Sequence, residues 1–121
     1  MTSTAVTTPD HHRRDRERLQ QHFRENFADP ALSVSSTSEA LFMSIRYVQK
    51  VFAQAGSTPR EWLVECRMAE ARRLLRSTGL SVSEVARRVG YRDTSQFSRG
   101  FKTRMGRSPS EYRMDVRFRW K

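Results

Sequence analysis

No apolar run in this chain approaches the ~20 consecutive residues that a membrane-spanning helix needs. Cysteine occurs once, at Cys66, so an internal disulfide is excluded and a reducing cytoplasm suits the chain. The N-terminal stretch MTSTAVTTPDHH carries no apolar h-region, so a secretory leader is not expected there. Its threonine-rich composition reads instead as a flexible tail over residues 1–12. Strand-type alternation is absent except in the terminal VRFRW, which is too short to carry a strand. His11 and His12 are adjacent, without a Cys or carboxylate set at metal-ligand spacing, so no metal is expected. Nowhere does the sequence assemble a nucleophile, a base and oxyanion donors. Neither an enzyme nor a cofactor is therefore expected.

What the chain has in excess is positive charge. Lysine and arginine number 23 against 13 acidic residues, a formal net charge of +10 in 121 residues. That balance favours a polyanionic partner: DNA, RNA or an anionic membrane surface. A surface that is merely solvated is the blander alternative.

Periodicity predicts helices throughout, and the fold class is all-α. Leu19, Phe23 and Phe27 recur every four residues in a first helix from about Asp10 to Phe27, which Pro30 stops. A short helix is expected over Ser33–Leu41. Another follows over Ser44–Ala55, with Val48, Val51 and Phe52 as its buried stripe. A long helix from Pro59 to Ser77 carries two apolar faces, one of Val64, Met68, Ala71 and Leu75, the other of Trp62, Cys66 and Ala69. Cys66 reads as a core residue there. SVSEVARRVGY makes a short helix, the stretch from Thr94 to Met105 a longer one with Phe97 and Phe101 inward, and a last short helix runs from Pro109 through Tyr112.

One phrase is written twice. GSTPREW, Gly56–Trp62, and GRSPSEY, Gly106–Tyr112, share the pattern Gly-x-(Ser/Thr)-Pro-x-Glu-(Trp/Tyr). The glycine suits the left-handed residue that ends a helix. The hydroxyl residue caps the next helix, proline falls at its first position, and the glutamate three residues after the cap completes a capping box. Upstream of each copy, Val34 matches Val82, Leu41 matches Val89, Val48 matches Phe97 and Phe52 matches Phe101. Short helix, tight turn, longer helix is a helix-turn-helix, present here in two copies. The repeated phrase is the exit from each copy. The expected organisation is a tail over 1–12, a first module over 13–57, a linker helix over 58–78, a second module over 79–113 and a basic tail over 114–121.

In such a motif the second helix lies in the DNA major groove, and residues near its N-terminus meet base edges. Facing away from the first module's core are Arg46, Gln49 and Lys50. In the second module the outward set is Thr94, Gln96 and Arg99, with Ser95 and Ser98 beside it. Arginine and lysine pair with guanine acceptors, and glutamine pairs with adenine. Arg92, Lys102, Arg104 and Arg107 crowd the second module as candidate phosphate contacts. A connecting helix of roughly 19 residues spans about 28 Å, close to the ~34 Å between successive major-groove faces. One chain, without dimerisation, is therefore expected to reach both grooves.

The run Ala86, Gly90-Tyr91, Asp93, Ser95, Phe97-Ser98-Arg99, Phe101-Lys102, Gly106, Ser108-Pro109 and Tyr112-Arg113 closely resembles the signature of the AraC/XylS family of bacterial transcription regulators. RMAEARRLLRSTGLSVSEVA is similar to that family's linker helix and the start of its second module. The resemblance covers about Arg14 to Arg113. It implies a unit of seven helices whose two reading helices contact double-stranded promoter DNA in the bacterial cytoplasm, at the nucleoid. It also implies that regulation is usually activation, through RNA polymerase. Position by position it assigns base reading to Arg46, Gln49 and Lys50, and to Thr94, Gln96 and Arg99 with Ser95 and Ser98 as helpers.

The first module departs from the family pattern, with Ser38 where a small alanine is usual and Phe42 where the turn usually has glycine. SVSSTS lacks an acidic partner for a capping box from Ser33, and serine and threonine are modest helix formers. This short helix is expected to be the more labile of the pair. The rival function is a basic nucleic-acid binder with no sequence preference. A membrane-surface role is disfavoured, because packing between helices accounts for the apolar faces.

Overall fold

A computed structural model describes residues 10–119, with side chains through Val116. Residues 1–9 of the expected N-terminal tail, and the last two of the basic tail, lie outside the described residues. Seven helices follow one another: α1 (Asp10–Asn26), α2 (Val34–Ala40), α3 (Ile45–Ala53), α4 (Pro59–Ser77), α5 (Val82–Arg88), α6 (Thr94–Met105) and α7 (Pro109–Arg119). Among the described residues no strand occurs.

The chain divides into two compact units. The first comprises α1, α2, α3 and the opening of α4 as far as Val64; the second takes residues 27–31 and everything from Glu65 onward. In the first unit α3 packs on both α1 and α2. Leu19 and Phe23 of α1 and Val48, Val51 and Phe52 of α3 are buried there, with the Phe23 and Phe52 rings 6.1 Å apart. In the second unit α6 packs on α5 and α7. Its core holds Met68, Ala71, Leu74, Leu75, Val85, Ala86, Val89, Phe97 and Phe101. The Phe101 ring meets Tyr112 edge-on at 5.4 Å.

The twice-written phrase behaves as its chemistry requires. Gly56 and Gly106 adopt φ of 73° and 77°, the left-handed region. Thr58 Oγ1 accepts from the Glu61 amide at 3.0 Å. Ser108 Oγ accepts from the Glu111 amide at 3.1 Å, while the Ser108 amide donates to Glu111 Oε1 at 2.9 Å. That bond to the Ser108 amide holds the Glu111 carboxyl below its ordinary range.

Four expectations need correction. The tail expected over 1–12 gives way earlier, because α1 begins at Asp10 as its periodicity predicts, so His11 and His12 are helical and His12 is buried. An acidic residue in the first turn complements the helix dipole and lets the helix start that early. On α4, Ala69 is exposed and Cys66 only half-buried, whereas Leu63 and Leu74 are buried. A methyl group leaves little apolar area in water, so the leucines take the interior places. α2 does close a capping box, with Ser36 in place of an acid: its hydroxyl accepts from the Ser33 amide, and Ser33 Oγ accepts from the Ser36 amide, both at 3.0 Å. Finally, α7 does not stop at Tyr112 but runs to Arg119, taking in most of VRFRW. No glycine or proline follows Pro109 to break it.

Candidate nucleic-acid interface

Each unit builds the second helix of its helix-turn-helix from the same parts. In the first, α2 ends at Leu41 and the chain turns through Phe42, whose φ of 58° makes it the one left-handed residue other than glycine among those described. The Met43 amide then donates to the Ser38 carbonyl at 2.9 Å, closing the turn. Ser44 caps α3, its Oγ accepting from the Tyr47 amide at 3.0 Å. In the second, α5 is capped by Ser81 and ends at Val89. Gly90 turns at φ 98°, and the Tyr91 amide donates to the Ala86 carbonyl at 2.9 Å. Asp93 caps α6, accepting from the Ser95 amide at 2.8 Å.

Gly90 serves a second purpose. A Cβ there would lie 2.4 Å from the Phe27 carbonyl oxygen and 2.8 Å from Arg67 Nε. Arg67 Nε donates to that same carbonyl at 2.9 Å, and its Nη2 reaches the Asp29 carbonyl at 3.1 Å. The guanidinium also lies 5.6 Å from the centre of the Tyr91 ring. Phe42 faces no comparable crowding: its side chain is 95% exposed.

With Val48, Val51 and Phe52 buried, α3 turns Arg46, Gln49 and Lys50 outward, all three exposed and none in a salt bridge among the described residues. Tyr47 sits between them in sequence yet points elsewhere. Its hydroxyl donates to Asp15 Oδ2 on α1. Burial, reinforced by the hydrogen bond and charge of Asp15, pushes the phenol up to about 12. Arg16 Nη1 also donates to the Val51 carbonyl at 3.2 Å, and the His12 ring lies 3.2 Å from Gln54 Nε2. Three side chains of α1 thus hold α3 and its C-cap.

On α6 the residues Ser95, Gln96 and Arg99 are exposed, and Thr94 and Ser98 half-buried. Thr94 Oγ1 donates to Ser83 Oγ on α5 at 3.2 Å, so its hydroxyl also braces the two helices of the motif. The two sets expected to read bases are not positional copies. Counting from the caps Ser44 and Asp93, Tyr47 matches Gln96, Gln49 matches Ser98 and Lys50 matches Arg99.

The basic residues sort by partner. Arg92 and Lys102 are exposed and without a salt bridge among the described residues. Arg104 is half-buried with Nη1 3.5 Å from Glu65 Oε1, a carboxylate it shares with Arg72. Arg107 pairs with Asp115. Arg87 and Arg88 both pair with Glu84, whose carboxyl they hold below its ordinary range.

A groove of about 590 Å³ runs beside α3, walled largely by apolar surface from Val34, Ile45, Ala53 and Pro59, with Gln49 and Arg60 on it. Ile45 is 42% exposed. Sequence periodicity passes over it, because spacings of three and seven to Val48 and Phe52 place it on the buried stripe. At the first position of its helix, no preceding turn is there to cover it.

A helix-turn-helix domain family model matches residues 37–115. The chain is 40% identical over 112 residues to the transcriptional activator NphR of a Rhodococcus species, covering 92% of this chain and 33% of that protein. Among solved structures, the C-terminal domain of AraT, a response regulator from Geobacillus stearothermophilus, superposes with a TM-score of 0.80 at 35% identity, over 83% of this chain and 84% of that one. The DNA-binding domain of AdpA, a global transcriptional factor solved in complex with a target DNA, gives a TM-score of 0.78 at 30% identity, over 86% and 94%. The chain spans about a third of the length of the curated relatives it matches.

Proposed function

Because the chain belongs to the AraC/XylS family of helix-turn-helix transcription regulators, we propose that it reads promoter DNA with α3 and α6 and regulates transcription from the bound site. The supporting observation is that both units present the same construction. A capped helix stands behind a closed turn, anchored by buried aromatics, with hydrogen-bonding side chains outward. Arg46, Gln49 and Lys50 read one block of base pairs, and Thr94, Ser95, Gln96, Ser98 and Arg99 read a second. Arg92 and Lys102, which have no salt bridge among the described residues to give up, grip phosphates. Arg104 and Arg107 do so more weakly, since each must leave a carboxylate. One chain engages both blocks as a monomer, in the cytoplasm, as a regulator and not an enzyme. Regulation is activation, through contact with RNA polymerase.

Charge alone would also support binding without sequence preference, the second reading that the excess of lysine and arginine keeps in play. Selection of a random duplex library on the purified chain at physiological salt separates the two. Enrichment of one asymmetric site with two informative blocks is expected. Tight, salt-sensitive binding without enrichment would leave only the non-specific binder.

A further inference from the structure

An apolar side chain stands at the leading edge of the first reading helix. Ile45 is the first residue of α3, 42% exposed, and one helical turn ahead of Gln49 on the same face. Both line the same groove, so the two side chains lie side by side. Ser44, immediately before it, is committed to capping, and Tyr47 is committed to Asp15. Ile45 is therefore the part of the outward face closest to the helix N-terminus that is free to meet a partner.

Base edges in the major groove offer one apolar feature, the C5-methyl of thymine. Residues near the N-terminus of a reading helix meet base edges, and Gln49 a turn later carries the hydrogen-bonding pattern that fits adenine. An isoleucine beside it, continuous with the face formed by Arg46, Gln49 and Lys50, fits a methyl group on a neighbouring base pair. The equivalent position of the second unit holds Thr94, whose hydroxyl is bonded to Ser83.

We propose that Ile45 is a specificity-determining residue, packing on the C5-methyl of a thymine next to the base pair that Gln49 reads. The inference rests on α3 being a reading helix, and its test separates the two. The site selected by the full chain is resynthesised with each thymine of its Gln49-dependent block replaced singly by deoxyuridine, which removes only the methyl. Affinities are measured for the unaltered chain, Ile45→Ala and Gln49→Ala, with thermal melts confirming that the variants fold. One thymine should prove sensitive, its replacement weakening binding about fourfold, the worth of one methyl taken from water. Ile45→Ala should lose affinity at least as strongly on the thymine duplex and lose nothing further when that methyl is already gone. Equal losses for Ile45→Ala on both duplexes, or no thymine beside the Gln49-dependent position, overturn the inference while leaving α3 a reader. A Gln49→Ala chain that keeps the full preference of the parent removes α3 as a reader, and the inference goes with it.

Discussion

The Tyr47 hydroxyl donates a hydrogen bond to the Asp15 carboxylate, fastening the first reading helix to α1 at a position where the second reading helix carries the exposed Gln96. The bond gives that helix a titratable fastening. In the folded chain the phenol is raised to about 12, above its ordinary 10.0, by burial first and then by Asp15. A group raised on folding contributes stability that is complete below its unfolded value and lost as pH climbs through its folded one. The difference in stability between the parent and Tyr47→Phe should therefore hold steady below pH ~10 and shrink toward pH ~12. Denaturant unfolding at stepped alkaline pH checks this, alongside tyrosinate absorbance, in which the variant should lose a titration phase near pH 12. A variant that retains that phase would assign it to another tyrosine.

Thr37 supplies the second prediction. It is fully buried in α2, and its Oγ1 has no hydrogen-bond partner among the described residues. The matching residue of α5 is Val85, equally buried. An unpaired hydroxyl in a core costs about 1–3 kcal/mol, and valine has the same shape without the hydroxyl. Thr37→Val should stabilise the chain by about 1 kcal/mol, a rise of roughly 4 °C in melting temperature for a domain of this size. The same defect should leave α2 the looser positioning helix. Amides of residues 34–41 should exchange faster than those of 82–89, with the gap narrowing in the variant. Matched exchange in the parent would show that the buried hydroxyl costs α2 nothing.

The two turns respond oppositely to substitution. Phe42 holds a left-handed conformation that costs a side-chain-bearing residue ~1–2 kcal/mol, and its ring is exposed, so glycine would forfeit little burial. Set against the ~0.5–1 kcal/mol of backbone entropy that glycine loses on folding, Phe42→Gly should gain about 0.5 kcal/mol. Gly90→Ala meets both a positive φ and the Phe27 carbonyl 2.4 Å from its new methyl. Forcing that carbonyl away also strains its bond from Arg67. A loss of at least ~2 kcal/mol is expected. Urea unfolding of the pair gives both signs in one experiment. Destabilisation by Phe42→Gly would mean that the ring packs against something in the folded state.

The particular residues show why some features were legible before the structure and others were not. Helix ends are written in short-range chemistry, so the two Gly-x-(Ser/Thr)-Pro exits and the start of α6 at Thr94 could be read directly. Burial on α4 was harder, because an alanine at a core spacing carries too little area to insist on its place, and Ala69 turned out. Ile45 carries no mark of its own in the sequence: its spacing to Val48 suits a core position, and only its place at the helix start exposes it. The bond from Tyr47 to Asp15 spans 32 residues. No local pattern announces it, so the inequality of the two reading faces appears only once α1 lies against α3. The serine-closed box of α2 is hidden for a simpler reason: a hydroxyl accepts from the cap amide as an acid does, and no acid marks the spot.

Base readers and phosphate contacts should part in their response to salt and to sequence. Arg46→Ala and Arg99→Ala remove exposed guanidiniums from α3 and α6. If each pairs with a guanine, its loss should cost about 1–3 kcal/mol on the selected site and relax base choice within its own block only. Lys102→Ala takes away a cation that has no salt bridge among the described residues. Binding to selected and scrambled duplexes should weaken alike, and the slope of log affinity against log salt should fall by ~0.9. Arg104→Ala differs again, because its guanidinium lies beside Glu65. Its effect on the salt slope should be smaller than that of Lys102→Ala, with part of the cost appearing as stability instead. Titrations at four or five salt concentrations on both duplexes resolve the three behaviours. Should Lys102→Ala alter base choice while Arg99→Ala shifts only the salt slope, the roles of the two residues on α6 would have to be exchanged.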